Sequence, residues 1–266
     1  MQNTVESLPR AHRPSIAYAR SPGMAGYAGA GRRPGLIFMG GFMSDMSGAK
    51  ATWLESFAVE RGLPYLRFDY SGHGASEGRF EDGTIGGWLG DSLAIIDELS
   101  EGPQILIGSS MGGWLALLVA LARPVRVRGI VGIAAAPDFT EELIHSEMTA
   151  EQSEILMREG VVHIETPYGD KPYVFTRALI EDGRAHLLLD GPIAVRCPVR
   201  LIQGHADADV PWETAMAVMA RIETADCAVT VIKDGDHRLS RPQDLAKIGA
   251  AVADIIEGLD AAPSVL

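Results

Sequence analysis

Residues 105–114 read ILIGSSMGGW, and no other ten residues in the chain say as much about its organisation. The apolar run 105–107 is short enough for a buried strand, and the stretch MGGWLALLVALA, residues 111–122, has apolar residues at helical spacing. Gly108, Ser110 and Gly112 thus form G-x-S-x-G at a strand-to-helix junction, the context that turns this short pattern into evidence for an exposed nucleophilic serine. A strand turning sharply into a helix holds the serine in a strained conformation, and side chains at the flanking positions would meet neighbouring backbone. A helix starting at Met111 also offers free N–H groups and a positive dipole end to developing negative charge.

Outward from this point the chain alternates. GLIFMG, PYLRFD, PQILIGSS, RGIVGIAAA, PVRLIQG and AVTVIKDG are apolar runs bounded by turn residues and predict buried strands. AKATWLESFAVERG, GWLGDSLAIIDELS, ETAMAVMARIE and DLAKIGAAVADIIEGL predict helices between or after them. This order predicts the α/β class, with a mainly parallel twisted sheet and helices on both faces, because parallel neighbours need crossover connections. In such sheets ligands sit beyond the carboxyl ends of the strands, so the loops after these runs carry the chemistry. The predicted organisation is an N-terminal arm over 1–14, a core over 15–137 and 191–266, and a cap or lid insertion over 138–190, which is too long for an ordinary loop. The arm leads into a first strand at SIAYAR, residues 15–20. Phe139, Leu143, Ile144, Met148, Ile155, Leu156 and Met157 of the insertion either pack it onto the body or line an acyl pocket; packing is the preferred role for any one of them.

Composition sets outer limits. With 266 residues, 47% hydrophobic and 22% charged, the chain has the profile of a globular protein. Its formal charge of −12 and lack of a basic cluster argue against nucleic acid or an anionic membrane as partner. No run is apolar for long enough to span a bilayer, so no integral membrane association is expected. Two cysteines, Cys197 and Cys227, do not make a disulfide framework, and a reducing compartment is expected. Arg10, Arg13 and Arg20 against Glu6 admit a targeting segment, so the expectation is cytoplasmic with the mitochondrial matrix as alternative. The sequence lacks H-E-x-x-H and paired Cys clusters, and GYAGAGRRPG, residues 26–35, lacks the last glycine of a phosphate-binding loop and reads as a hairpin turn. No metal and no organic cofactor are expected.

A serine hydroxyl is a weak nucleophile and requires a base. Of seven histidines, His237 in DGDHR follows the last predicted strand, at the same sheet edge as Ser110. His73, in SGHG, has a similar position, but a surface role in an adjacent loop is preferred. A carboxylate must then orient the imidazole, and the chain order serine, acid, histidine points to GHADADVPW after PVRLIQG. Asp207 and Asp209 both lie there, and Asp209 also suits a cap for the helix beginning near Pro211. Asp138 is the rival acid. Asp234 and Asp236 read as turn formers. Backbone N–H groups of Phe42, in MGGFMSD, and of Met111 are the candidate oxyanion donors; Met43, Ile144 and Met148 are candidate substrate-binding residues.

With these pieces placed, the chain resembles the α/β-hydrolase superfamily and, within it, the palmitoyl-protein thioesterase family that also hydrolyses acyl glucuronides. The resemblance is carried by MSDMSG, RFDYSGHGASEG, EGPQILIGSSMGGW, CPVRLIQGHADADVPW and the DHR around His237. It implies the α/β-hydrolase fold and puts Ser110, Asp207 and His237 on the catalytic triad, Asp207 through the spacing GxxDxxVP. It also implies that Asp69 and its glycines in DxxGxGxS shape a turn rather than act chemically. The expected activity is hydrolysis of a small-molecule ester or thioester, or of an S-acylated protein, through an acyl-enzyme. The alternatives are a carboxylesterase, lipase or peptidase with the same triad, and a hydrolase-like small-molecule binding module.

Overall fold

A computed structural model describes residues 4–23, 33–141, 148–166 and 172–261. Eight strands form the main sheet: β1 (Glu6–Arg10), β2 (Arg13–Ser21), β3 (Gly35–Met39), β4 (Tyr65–Phe68), β5 (Gln104–Ser109), β6 (Val127–Ile133), and, numbered in chain order past the insertion, β9 (Val199–Gly204) and β10 (Cys227–Ile232). Their spatial order is β1-β2-β4-β3-β5-β6-β9-β10. From β4 to β10 every neighbour is parallel, while β2 pairs antiparallel with both β1 and β4. The six predicted strands are all present, and the α/β-hydrolase fold is the one observed.

Strand alternation builds two cores. Ile37, Leu66, Leu106 and Ile130 face one side with Trp88 and Ile95 of α2 (Ile85–Glu98) and Trp114 and Leu115 of α3 (Met111–Ala122). Leu36, Tyr65, Ile105, Ile107 and Val131 face the other with Leu54 and Phe57 of α1 (Ala49–Glu60) and Ile248 and Val252 of α7 (Pro242–Ala261). Strands buried on both faces need continuous apolar runs, which is what made them visible in the sequence.

Within the expected arm over 1–14, Glu6–Arg10 form β1. Glu6 to Arg10 pair with β2, Leu8 is buried, and the Tyr18 hydroxyl donates to Glu6 Oε2 at 3.0 Å. Arg10 donates to Asp91 Oδ1 at 2.6 Å, and both side chains are buried. This strand is held by partners far along the chain, which ESLPR by itself does not reveal. Most of GYAGAGRRPG, residues 26–32, lies outside the described residues.

Between β6 and β9 the chain leaves the main sheet. It forms α4 (Ala150–Glu159), an antiparallel pair of β7 (Val161–Ile164) and β8 (Tyr173–Thr176), and α5 (Arg177–Gly183). Asp138, the rival acid, anchors this excursion: its buried carboxylate accepts from the N–H groups of Leu188 and Leu189 at 2.7–3.0 Å. It ties the two ends of the excursion together. The remaining helix, α6 (Trp212–Arg221), is capped by Pro211 with no side-chain cap bond, so Asp209 is not its cap.

The chain runs from β3 out to β4 on one side and returns to β5 on the other. Loops leaving β3 and β5 therefore diverge, opening a crevice at the carboxyl edge of the sheet.

Candidate active site

Ser110 occupies the turn between β5 and α3 with φ +53° and ψ −120°, a region that a residue with a side chain rarely adopts. The turn is held from several sides: Ser110 N–H donates to Ile133 O at 2.9 Å, and Ser110 O accepts from Gly113 N–H and Ala136 N–H at 2.8 and 3.1 Å. The flanking glycines are required by space. A Cβ at Gly108 would lie 2.2 Å from Gly112 O, and one at Gly112 would lie 2.1 Å from Met39 O. Strand β5, helix α3 and the end of β3 thus close on the serine with no room for methyl groups.

His237 lies in the loop after β10. That loop is pinned by Leu239 N–H donating to Asp236 Oδ1 at 2.9 Å and by Arg241 bridging Asp234 and Asp244, both at 2.7 Å. It is also tied to the loop after β9, where Ala206 N–H donates to Gly235 O at 3.0 Å. The outcome is a bond of 2.9 Å between His237 Nδ1 and Asp207 Oδ2, with the Asp207 side chain fully buried and the imidazole 17% exposed.

Four N–H donors surround the Asp207 carboxylate. Oδ1 accepts from the backbone of Asp209 and Val210, each at 2.9 Å; Oδ2 accepts from Gln203 Nε2 at 2.9 Å besides His237. These donors fix the carboxylate in orientation, and with Nδ1 donating to it the lone pair of a neutral imidazole sits on Nε2. Asp209 does not touch His237 in this way. Its backbone supports Asp207, and its Oδ2 is buried without a hydrogen-bond partner. Asp207, Asp209 and His237 each offer a donor atom within 4.8 Å of the others, but four N–H donors already occupy the Asp207 oxygens.

Ser110, His237, Asp209, Phe42, Met43 and Met148 all line one cavity of about 1020 Å³. Met111 is buried at the first position of α3, where a backbone N–H has no intrahelical acceptor. The loop holding Phe42 and Met43 also approaches the serine: a Cβ at Gly41 would lie 3.3 Å from Ser110 Cβ. Ile144 and His145 lie outside the described residues. Phe139, Ile164, Tyr173 and Phe175 give the cavity an aromatic and aliphatic wall supplied by the excursion, while Lys50, Asp45 and Arg238 line its polar side.

His73, His186 and His205 have structural surroundings. His73 is buried, not on the surface: its ring packs edge-on against Tyr70, Phe80 and Trp88, and its Nε2 has no hydrogen-bond partner. Burial lowers its pKa to about 4. His186 Nδ1 bonds to Asp182 O at 2.8 Å, and His205 stacks on Trp212. The Asp69 carboxylate accepts from Met46 N–H at 2.6 Å and Ala75 N–H at 2.8 Å, joining two loops at the sheet edge.

Sequence reasoning missed two contributors. Gln203 is fully buried, four residues before Asp207, and its amide also donates to Val210 O at 2.9 Å. A glutamine just before the glycine that ends the VRLIQG strand was the available signal. Lys50 reaches the same cavity and donates to Arg238 O at 2.5 Å, and burial lowers its pKa to about 8. Its place in an ordinary helix start gave no signal.

A model of the alpha/beta hydrolase family matches residues 36–248. Palmitoyl-protein thioesterase ABHD10, mitochondrial, from Bos taurus is 39% identical over 259 residues, 97% of this chain and 82% of that protein. The Homo sapiens protein of the same name is 37% identical over the same shares. Among solved structures, alpha/beta hydrolase domain-containing protein 10 from mouse superposes with a TM-score of 0.86 at 37% identity, covering 96% of this chain and 99% of that one.

Proposed function

From the premise that the chain belongs to the alpha/beta hydrolase family, we propose that it is a serine hydrolase of acyl esters or thioesters, with Ser110 as nucleophile, His237 as base and Asp207 as the orienting acid. His237 Nε2 takes the hydroxyl proton as Ser110 Oγ attacks the acyl carbonyl carbon. The oxygen of the tetrahedral intermediate becomes negative and is met by the N–H groups of Phe42 and Met111. As the intermediate collapses, the carbonyl re-forms, the bond to sulfur or oxygen breaks, and the imidazolium hands its proton to the leaving thiol or alcohol. Water then attacks the acyl-enzyme, giving its proton to His237, and Ser110 regains a proton as the free acid leaves. Asp207 keeps the ring in the tautomer this cycle needs and offsets the charge that appears on it.

One observation carries this reading: an imidazole bonded at 2.9 Å to a fully buried, four-donor carboxylate lines the same cavity as a serine held at φ +53°. The choice of a long acyl thioester is supported by the names of the relatives and by the wall of Phe139, Met148, Ile164, Tyr173 and Phe175, against which a fatty chain would lie. Met43 and Met148 are the substrate contacts assigned from the sequence. The excursion between β6 and β9 acts as the cap. Among the described residues no helix is long and apolar enough to cross a membrane; the relatives' names give those proteins a mitochondrial location, matching the second of the two compartments considered.

The test is a matched series of thioesters and oxygen esters with acyl chains from two to sixteen carbons. We expect kcat/KM to be highest for long-chain thioesters and to vanish in Ser110→Ala. A rate independent of chain length and leaving atom would overturn the substrate assignment, and an active Ser110→Ala would overturn the mechanism.

A further inference from the structure

The ring of Phe42 is held on several sides at once. Phe80 and Trp88 meet it edge-on at centroid distances of 5.0 and 6.1 Å, and Phe139 meets it tilted at 5.6 Å. From β8 of the excursion, Tyr173 approaches edge-on at 5.9 Å and Phe175 stacks at 5.1 Å with an interplanar angle of 7°. Tyr173 and Phe175 alternate with Val174 along an extended strand, so both point to the same face. Phe175 is only 5% exposed.

The backbone beneath that ring is strained. Met43 has φ +52°, a left-handed value uncommon for a residue with a side chain, and Gly40 and Gly41 precede it. A loop of this kind persists only where its surroundings over-determine it. Ser44 closes it from below, its N–H donating to Gly41 O at 3.2 Å and its hydroxyl to the same oxygen at 2.7 Å. The aromatic rings grip it from above.

We propose that Phe175, with Tyr173 beside it, is a positioning residue for the oxyanion site, acting through the ring of Phe42 on the backbone N–H of that residue. This rests on the reading of Phe42 as an oxyanion donor. Cap and oxyanion site are then one unit: seating β8 presses the Phe42 ring into place and sets its N–H against the reacting carbonyl. An acyl chain lying along Phe139, Tyr173 and Phe175 packs against the same rings, so binding far from the carbonyl is expressed in turnover as well as affinity.

A substrate too short to reach Phe175 separates this role from that of a pocket wall. With p-nitrophenyl acetate, Phe175→Leu should lower kcat about tenfold with KM little changed, since small misplacements of catalytic groups are costly. Phe175→Tyr, which keeps the stacked ring, should retain most of the wild-type kcat. Phe42→Leu combined with Phe175→Leu should cost no more than Phe42→Leu alone, because both act through one contact. An unchanged kcat on acetate, with the loss confined to a higher KM for p-nitrophenyl decanoate, would overturn the proposal, as would fully multiplicative effects in the double variant. If Phe175→Leu fails to fold, Phe175→Met and Phe175→Tyr provide the comparison, and equal kcat in those two overturns it. Ser110→Ala in the same assay keeps the failures apart: activity there sinks the hydrolase mechanism, whereas an inactive Ser110→Ala beside a fully active Phe175→Leu sinks only the positioning role.

Discussion

His237 and His73 both stand in loops at the carboxyl edge of one sheet, the first after β10 and the second after β4, yet they meet opposite surroundings. His237 borders the cavity and bonds to a carboxylate with no exposure of its own. His73 is packed among three aromatic rings with Nε2 unpartnered. No carboxylate bonds its ring among the hydrogen bonds observed; its Nδ1 meets Ser71 O at 3.4 Å. A loop position at the right edge therefore does not make a base. What sets His237 apart is a fixed carboxylate behind one ring nitrogen and a place in the cavity wall beside Ser110.

The comparison breaks first at His237 itself. His237→Ala should lower kcat by about 10⁶ while leaving the melting temperature close to wild type, as expected of members of a nucleophile–base pair; a melting curve and a steady-state assay check both halves. Asp207→Asn is expected next, with a loss on the order of 10⁴, because an amide in that place favours the wrong tautomer. Gln203→Leu sharpens the contrast: removing one of four donors should cost roughly tenfold in kcat and leave KM largely unchanged, if the amide serves to fix the acid.

The smallest effect on rate belongs to His73, where the change should appear in stability. Burial lowers its pKa from 6.5 to about 4, so the unfolded chain binds more protons throughout that window. The contribution is complete above about pH 6.5 and is lost as pH falls towards 4, amounting to about 3 kcal/mol in all. His73→Phe should flatten urea-unfolding stability between pH 6.5 and 4.5, without the collapse in kcat seen for His237→Ala. A steep pH dependence surviving in His73→Phe would assign that slope to another group.

What could be read in advance follows from how local each constraint is. The elbow was legible because Gly108 and Gly112 face backbone at close range, so the sequence there has few solutions. The buried strands were legible because two covered faces demand unbroken apolar runs. By contrast, β1 depends on Tyr18 and Asp91, and the clamp on Phe42 draws rings from residues 80, 88, 139, 173 and 175. Neither has a local signature. The anchoring role of Asp138 was hidden for the same reason, its partner Leu189 lying 51 residues on, and the burial of His73 depends on how Phe80 and Trp88 fold back over its loop.

Reaction with a fluorophosphonate, followed by peptide mass mapping, tests the nucleophile most directly. Wild-type protein should carry one adduct on the peptide containing Ser110, His237→Ala should label far more slowly, and Ser110→Ala should remain unlabelled. An adduct on another residue, or folded wild-type protein that hydrolyses its substrate yet takes no label, would contradict the account.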